Sequence, residues 1–517
     1  MAGLRPAQYK YIVYNNSEIN VVQALVERVF NIKNPQPGPP FVKPPLPDRH
    51  VFNQRMGQFR ELLLEHLPPV CRMSLPQFVA TTPVHKRKVY EHAYADYLKN
   101  GLNWRDARVT SFVKGEKVVG KAPRIIQPRG VKFNLIYGAF IRPIEKPIYR
   151  AIDAVFGRPT VVSGQNAFEV AAMLRDAWDG IIDPVAVPFD LSRMDQHISA
   201  VALNWEHGIY RRNYQTDSCY DTLDWCLRKT IKNVGRVYTR NEFGNKVVID
   251  YKKDGSRMSG DMNTSLGNKT IMCGLLFSYF TGHCKFTPMV DYNVVDNGDD
   301  CVVIMSRTAY NNWKVMCQPY YEPSAAYIDP ANPMHVVVTR ALRSARYTTI
   351  SWWFHQMGFT LTEEAVTDCF NHIRFCQSAP VFLDGRWVMV RDLKALGKDA
   401  YCLKPMTELP AWLGSVRAGG LAVYGNCPIY SAYYAALPEH AKAHRGLLKN
   451  ASALYYLSRG MDVGQDVSVA NRVAFYDTFG VSPREQMAIE EYYRTVRYNG
   501  DVSREHEAPP LPLARDE

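Results

Sequence analysis

The chain has 517 residues and a net charge of +12, from 62 Lys+Arg against 50 Asp+Glu, and 46% of its residues are hydrophobic and 12% aromatic. This composition excludes a disordered protein, and the length exceeds one ordinary core, so several subdomains are expected. The positive charge favours a polyanionic partner such as nucleic acid, although a basic surface kept for solubility gives the same balance.

Cysteine usage and hydropathy indicate the redox compartment and the membrane character expected of the protein. The 11 cysteines are scattered and none forms a C-x-x-C pair, which indicates free thiols in a reducing compartment and argues against a disulfide framework or a Cys-rich zinc site. The N-terminus lacks an apolar signal core, and the most apolar stretch, residues 271–280, is far too short to span a bilayer. We therefore expect another protein to take the chain to any membrane on which it acts.

The first 180 residues are predicted to be mainly helical. An amphipathic helix over 21–30 precedes a proline-rich extended linker that starts at Asn34. Mostly helical structure follows over 50–110. A basic block over 121–129 contains Lys121, Arg124 and Arg129. It is predicted to form a strand followed by a turn, and the alternative interpretation is a basic edge strand.

The central region, residues 183–307, is predicted to alternate short strands with helices. One apolar strand ends at Asp190, and Asp195 follows after four residues. Gly298-Asp299-Asp300 lies between two apolar runs, which predicts a β-hairpin with two carboxylates at its tip. Carboxylates fixed on separate strands suit Mg²⁺, and two such ions roughly 3.5–4 Å apart activate a hydroxyl and stabilise a leaving pyrophosphate. Alone, each motif is also typical of a polar turn or a helix cap.

A third segment separates these acids. Residues 259–268 are rich in small, hydroxyl and amide side chains, and they include Ser259, Gly260, Thr264 and Asn268. Such a loop suits contact with a nucleic-acid backbone, and the alternative is a helix-capping loop. The run after it, 269–280, is predicted to be helical.

Taken together, the order D-x₄-D, S-G-x₃-T-x₃-N and G-D-D resembles motifs A, B and C of viral RNA-dependent RNA polymerases, and in particular those of tombusviruses, carmoviruses, umbraviruses and luteoviruses. The resemblance implies an α+β right-hand fold with fingers, palm and thumb, in which the palm is a small antiparallel sheet flanked by helices. The implied divisions are an N-terminal extension with its linker (1–48), fingers (49–182), palm with an interleaved fingers segment (183–395), thumb (396–500) and a disordered tail (501–517). The implied motifs are F (121–129), A (189–195), B (259–268), C (296–301), D (about 351–364) and E (375–378).

The resemblance also implies roles for individual residues. The catalytic residues and metal ligands would be Asp190, Asp299 and, as a supporting carboxylate, Asp300, holding two Mg²⁺ ions with Mn²⁺ able to substitute. The incoming ribose 2′-hydroxyl would be sensed by Asp195, Ser259 and Asn268, with Gly260 and Thr264 in the same loop. The triphosphate would be bound by Arg124 first, then Lys121 and Arg129, because arginine offers phosphate a planar fork of donors.

Downstream positions depart from the family pattern. Relatives often carry a lysine near Thr362, a candidate general acid for the leaving pyrophosphate, so the general acid is unassigned here. The gap after Asp300 is longer than usual and predicts an insertion around 315–345.

The C-terminal region is rich in tyrosine and carries several cations. Its tyrosines would either stack on bases or pack between helices, and packing is the commoner arrangement; they are Tyr424, Tyr430, Tyr433, Tyr434, Tyr455 and Tyr456. Its cations would either contact template phosphates or form a solvated helix face; they are Lys442, His444, Arg445 and Lys449.

The implied function is RNA-directed RNA synthesis from ribonucleoside triphosphates, with template and nascent RNA as partners. A membrane-associated viral replication protein would bring the chain to replication complexes in the host cytoplasm. A reverse transcriptase is disfavoured by Asp195 and Asn268, and a non-catalytic RNA-binding replication factor by the intact carboxylates. The P-loop, H-E-x-x-H and G-x-S-x-G signatures are absent from the sequence.

Overall fold

The computed structural model describes residues 5–6, 12–34, 37–317, 349–399, 402–403, 406–449, 452–495 and 507–508. Within these ranges helices and sheets are mixed, so the α+β class is confirmed. The α-helices are α1 (Glu18–Leu25), α2 (Arg49–His66), α3 (Leu75–Ala80), α4 (Val84–Asn100), α5 (Val131–Phe156), α6 (Ala167–Asp179), α7 (Met194–His197), α8 (Ala200–Asn213), α9 (Tyr220–Ile231), α10 (Thr264–Phe277), α11 (Arg307–Met316), α12 (Ile350–Gln356), α13 (Leu393–Asp399), α14 (Leu409–Tyr424), α15 (Tyr430–Ala435), α16 (Leu454–Leu457), α17 (Val469–Phe479) and α18 (Pro483–Thr495). The strands are β1 (Arg5–Pro6), β2 (Ile12–Val13), β3 (Ile32–Lys33), β4 (Phe41–Val42), β5 (Val109–Val113), β6 (Lys117–Val118), β7 (Ile125–Ile126), β8 (Pro184–Leu191), β9 (Lys232–Arg240), β10 (Lys246–Asp254), β11 (Tyr292–Asp296), β12 (Asp300–Ser306), β13 (Leu361–Glu363), β14 (Ser378–Leu383), β15 (Arg386–Arg391) and β16 (Glu507–Ala508).

The central sheet has four antiparallel strands in the order β11-β12-β8-β13. Successive side chains of a strand point to opposite faces, and here each face meets a different core. Val187 and Phe189 belong to one cluster of buried residues, whereas Ala186 belongs to another. Because both faces are buried, β8 is a continuous apolar run rather than an alternating one.

A second, lateral sheet has the order β10-β9-β5-β7, with β5 and β9 parallel and the other pairs antiparallel. Its strand β7 comes from the basic block. The predicted N-terminal helix is present as α1, continued by a π-helical turn over Val26–Phe30. Val21 and Val29 from this segment are buried against Val113 and Val237 of the sheet, so residues 18–30 pack as part of this layer. The proline-rich segment that follows contains one antiparallel pair, β3 with β4.

The C-terminal helices pack around the β14–β15 hairpin and share the core that contains Ala186. Tyr424, Tyr430, Tyr433 and Tyr434 are at most 2% exposed. The Tyr434 hydroxyl donates to Asp399 Oδ2 at 2.8 Å. Packing between helices is therefore the correct interpretation for these four tyrosines, and base stacking is wrong for them.

The other tyrosines and cations of this region are less buried. Tyr455 packs at the edge of the same core, and Tyr456 is 48% exposed. The predicted cations lie on turns and a short 3₁₀ helix, Arg445–Leu448, rather than on one long helix face. Arg445 covers the Tyr455 ring at 5.5 Å and donates to the Ser458 carbonyl.

Two sequence predictions fall mainly outside the described residues. The insertion predicted at 315–345 lies beyond them from residue 318 onward. Of the predicted tail, only Glu507–Ala508 is described, as a parallel pair with Arg5–Pro6. Over the described ranges, no helix combines the length and the apolar character needed to span a bilayer.

We expect Tyr434→Phe to lower the free energy of unfolding by about 1–3 kcal/mol, because it removes a buried hydrogen bond to a carboxylate. The equally conservative Tyr456→Phe, at an exposed ring, should change stability little. Denaturant titration measures both, and RNA affinity should be equal in the two variants. A loss of RNA affinity in Tyr434→Phe at unchanged stability would contradict the packing role.

Candidate active site

Asp190 and Asp300 are brought together by the pairing of β8 with β12. The two residues lie directly opposite each other in this antiparallel ladder, and directly opposite residues project on the same face. Thr362 of β13 lies opposite Asp190 on the other side. The row Asp300–Asp190–Thr362 therefore crosses three strands at one end of the sheet.

Asp299 occupies the tip of the predicted hairpin between β11 and β12. Gly298 there has φ of +96°, a conformation that favours glycine. The Asp296 carboxylate accepts from the Gly298 N–H at 3.1 Å, and the Asp299 carbonyl accepts from Leu191 N–H at 2.7 Å. These bonds fix the tip against the end of β8 and leave Asp299 exposed.

The carboxylates raise one another's pKa. Burial first, and then the charges of Asp299 and Glu364, raise the pKa of Asp190 to about 6. Burial and the same neighbours raise the pKa of Asp300 to about 7, against the opposing hydrogen bond from Cys376 N–H. Although Asp299 keeps solvent access, desolvation by the surrounding protein also raises the pKa of its carboxyl group. A cluster of hard oxygen donors with too little positive charge suits a divalent cation.

The donor set therefore fits Mg²⁺, with Asp190 and Asp299 as ligands and Asp300 alongside. Asp300 Oδ2 already accepts from the backbone N–H of Cys376 at 2.8 Å, which leaves this carboxylate fewer lone pairs and agrees with a supporting role. Among the described residues, no group of three or more His, Cys, Asp or Glu side chains is already arranged to hold a metal ion.

Asp195 and Asn268 form a direct pair on the wall of the site. Asn268 Nδ2 donates to Asp195 Oδ1 at 2.8 Å. Asn268 Oδ1 accepts from Arg257 Nε at 3.1 Å, which fixes the orientation of the amide because only its oxygen can accept. Burial raises the pKa of Asp195, and the hydrogen bond from Asn268 opposes this effect.

Arg257 and its partner Glu206 were not found by sequence reasoning. Arg257 Nη2 pairs with Glu206 Oε2, and both side chains are fully buried. Asn263 Nδ2 and the Tyr210 hydroxyl also donate to Glu206 Oε1, each at 2.7 Å. A Cβ at Gly267 would collide with this ion pair. Buried charge pairs connect segments far apart in sequence, so neither spacing nor periodicity indicates them.

The other predicted residues of the loop at 259–268 contact either the basic block or other residues of the same loop. Ser259 Oγ accepts from Gln127 N–H at 3.1 Å. A Cβ at Gly260 would lie 2.5 Å from Pro128 Cα, so the two backbones touch there. Thr264 Oγ1 donates to the carbonyls of Met258 and Asp261.

A cavity of about 630 Å³ brings some of the predicted site residues together, whereas Asp190, Asp300 and Gly260 are not part of its lining. Asp195, Asn268, Ser259, Thr264 and Asp299 line it. Its lining also includes seven cations against three acids, and the cations are Arg28, Lys117, Lys121, Arg124, Arg193, Arg257 and Lys398. Lys121 and Arg124 are exposed in it, and their binding of phosphate stays a prediction.

The prediction for Arg129 is wrong in this structure. The side chain is fully buried and forms an ion pair with Asp261. Its guanidinium also donates to the Ala107 carbonyl and to Asn233. With its donors used inside the protein, Arg129 holds the basic block to the loop at 259–264 and does not line the cavity.

Comparisons with known proteins identify the family of the chain. A family model described as viral RNA dependent RNA polymerase matches residues 4–327 and 335–501. The chain belongs to this family. It is 32% identical to the RNA-directed RNA polymerase of Oat chlorotic stunt virus over 544 aligned positions, covering 100% of this chain and 66% of that protein.

Other curated polymerases are similar over most of the chain. The RNA-directed RNA polymerase of Maize chlorotic mottle virus is 32% identical, covering 94% of this chain and 47% of that protein. That of Carnation mottle virus is 31% identical, covering 97% and 60%. The chain thus spans about half to two thirds of the length of these viral polymerases.

We expect Arg129→Met to lower the free energy of unfolding by about 3–5 kcal/mol, because it leaves Asp261 buried without its partner. Arg124→Met is the matched control, since the Arg124 side chain is 55% exposed, and it should change stability little. Chemical denaturation measures both variants. Equal stability of the two would contradict the structural role of Arg129.

Proposed function

We propose that this chain catalyses template-directed RNA synthesis from ribonucleoside triphosphates. One observation carries the proposal: Asp299 and the Asp195–Asn268 pair line one cation-rich cavity, at the end of the sheet where Asp190 faces Asp300. A carboxylate cluster, a ribose-sensing pair and phosphate-binding cations are the parts that nucleotidyl transfer requires. Family membership supports the same reaction.

Asp190 and Asp299 would hold two Mg²⁺ ions, with Mn²⁺ able to substitute and Asp300 in support. When bound, the metals lower the pKa of the attacking 3′-hydroxyl and stabilise the charge of the leaving pyrophosphate. The protein's own contribution is to fix the carboxylates on two paired backbone segments, β8 and the β11–β12 hairpin, so that little reorganisation accompanies the reaction.

Asp195 and Asn268 would select the ribose. A 2′-hydroxyl both donates and accepts hydrogen bonds, and it finds an acceptor in Asp195 and a fixed amide in Asn268. Ser259 and Thr264 lie in the same cavity. Because Arg257 holds the amide in one orientation, the pair presents a constant pattern of donors and acceptors to the sugar.

Lys121 and Arg124 would bind the triphosphate. The charge of Arg124 also lowers the pKa of Asp299 and, after that of Arg257, the pKa of Asp195. The general acid remains unassigned: Thr362, opposite Asp190, occupies the place where relatives often have a lysine, and threonine cannot replace its acidic role at neutral pH.

We also propose the right-hand division of the chain: fingers around the lateral sheet, palm around the central sheet, and thumb in the C-terminal helices. The parallel pairing of β9 with β5 supports the interleaved fingers segment, because it inserts residues 232–254 into the layer that holds the basic block. Template and nascent RNA would pass between these parts. On family resemblance alone, a membrane-associated viral protein would position the chain at replication complexes in the host cytoplasm.

The alternatives are a reverse transcriptase and a non-catalytic RNA-binding replication factor. Asp195 paired with Asn268 opposes the first, because this pair offers partners to a 2′-hydroxyl. The position of Asp190 directly opposite Asp300 argues against a non-catalytic factor, because clustered carboxylates repel one another and have no structural benefit without a cation.

We expect Asp299→Ala to abolish ribonucleotide incorporation, with a loss of at least about a thousandfold, because a principal metal ligand is removed. Purified protein with an RNA template, Mg²⁺ and labelled nucleotides provides the measurement. Asp221→Ala, at an exposed acid on α9, is the control and should retain activity. Incorporation that survives Asp299→Ala would exclude the assigned site.

We expect Asp195→Ala to reduce the preference for ribonucleotides over deoxynucleotides by about tenfold, the value of one hydrogen bond to a charged group. The ratio of kcat/KM for the two substrate classes measures this preference. The Mg²⁺ concentration for half-maximal rate should stay the same, since Asp195 is not among the proposed ligands. A change in metal requirement without a change in the ratio would contradict the ribose role, and a wild-type preference for deoxynucleotides would favour reverse transcription.

A further inference from the structure

The N-terminal segment contributes a side chain to the same cavity. Arg28 lies in the π-helical turn Val26–Phe30, and its side chain lines the cavity with Lys121, Arg124 and Arg193. The segment belongs to the predicted N-terminal extension, 1–48, in which neither spacing nor motif indicates a site residue.

Most of the hydrogen-bonding capacity of Arg28 is unused. Its Nη2 donates weakly to the Ala122 carbonyl at 3.4 Å, and its Nε is buried with no hydrogen-bond partner. Among the described residues, no carboxylate forms an ion pair with it at 4.0 Å or less. The nearby acid, Glu116, is already paired with Lys114 at 2.8 Å and contacts Arg124 at 3.6 Å.

Arg28 is also surrounded by like charge. Burial first, and then the charges of Arg193 and Arg124, lower its pKa, while Glu116 and Glu27 oppose this effect. Three guanidinium groups that face one cavity repel one another, and a bound polyanion would convert that repulsion into attraction. Buried donors without partners are costly, so the arrangement is expected where a ligand supplies the acceptors.

The turn that carries Arg28 is joined to motif A. Arg193 Nη1 donates to the Glu27 carbonyl, and Gln196 Nε2 donates to the Asn31 carbonyl. Arg193 itself has φ of +50°, an unusual conformation for a residue other than glycine. Residues on both sides of Arg28 are thus anchored to Arg193 and Gln196, in the strand–helix segment that carries Asp190 and Asp195, which holds Arg28 at the cavity wall.

We propose that Arg28 binds the triphosphate of the incoming nucleotide together with Arg124 and Arg193, so that the N-terminal segment is part of the substrate-binding machinery. This inference rests on the proposed function, because it takes the cavity to be the nucleotide site. A guanidinium on an anionic phosphate forms strong charge-assisted hydrogen bonds.

The test compares Arg28→Ala with Lys33→Ala. Lys33 is exposed on β3 of the same segment, so both variants lose one positive charge and any general weakening of RNA binding is matched. We expect Arg28→Ala to raise KM for nucleotides about tenfold or more, with kcat and RNA affinity close to those of Lys33→Ala. Arg28→Lys should restore part of the affinity, because it keeps the charge and loses the fork.

A second measurement separates direct contact from support of the fold. The dissociation constant of inorganic tripolyphosphate, titrated against intrinsic tryptophan fluorescence, should increase about tenfold in Arg28→Ala and less in Arg28→Lys. A lower kcat at unchanged KM, or a raised KM at unchanged tripolyphosphate affinity, would show that Arg28 only supports the pocket and would overturn the proposal. If Arg28→Ala melts before the assay temperature, Arg28→Lys decides: an affinity equal to that of the wild type for both ligands overturns the proposal.

The same titration separates this inference from the proposed function. A wild-type protein that incorporates no nucleotide, yet binds tripolyphosphate through Arg28, would contradict the proposed reaction and leave the anion site standing. An active wild type whose tripolyphosphate affinity is the same in Arg28→Ala and Lys33→Ala would contradict only the role of Arg28.

Discussion

The register of β8 against β12 is the constraint on which the site depends. The ladder sets Asp190 opposite Asp300, Phe189 opposite Cys301 and Ala186 opposite Ile304. Phe189 and Cys301 enter one core, whereas Ala186 and Ile304 enter the other. A shift of one residue would exchange the faces of β8, and would turn the bulky Phe189 toward the core that Ala186 now enters. Packing on both faces therefore fixes the position of the carboxylates.

The alternation of side chains along each strand also decides on which face of the sheet the carboxylates lie. Asp190 and Asp300 are an even number of positions from Ala186 and Ile304, so they continue that face of the sheet beyond the edge of its core. This face is also the side from which Cys376 donates its N–H to Asp300. The connection to β14 thus meets the acids where the apolar cover ends.

Much of this arrangement follows from the sequence, and the remainder shows where sequence reasoning fails. The α+β class, the hairpin at Gly298 and the helix near 21–30 each come from local pattern, which spacing and turn chemistry record directly. The structural role of Arg129 does not follow from local pattern, because its partner Asp261 is 132 positions away along the chain. A basic block shows that cations are present, but only the fold shows which of them find buried acids. The C-terminal tyrosines were ambiguous for the same reason, since stacking on bases and packing between helices require the same residue type.

The cations of this chain therefore separate into two groups with different physical consequences. Arg129 and Arg257 are buried against carboxylates, and a charge removed from water must keep its partner because the cost of losing it is several kcal/mol. Such residues are fixed parts of the fold, although Arg257 also lies in the lining of the cavity. Arg28 and Arg124, in contrast, lie at a cavity where positive charge exceeds negative charge. Arg28 forms no ion pair among the described residues, and Arg124 has a 3.6 Å contact with Glu116. A bound anion would therefore lower the electrostatic energy of both cations.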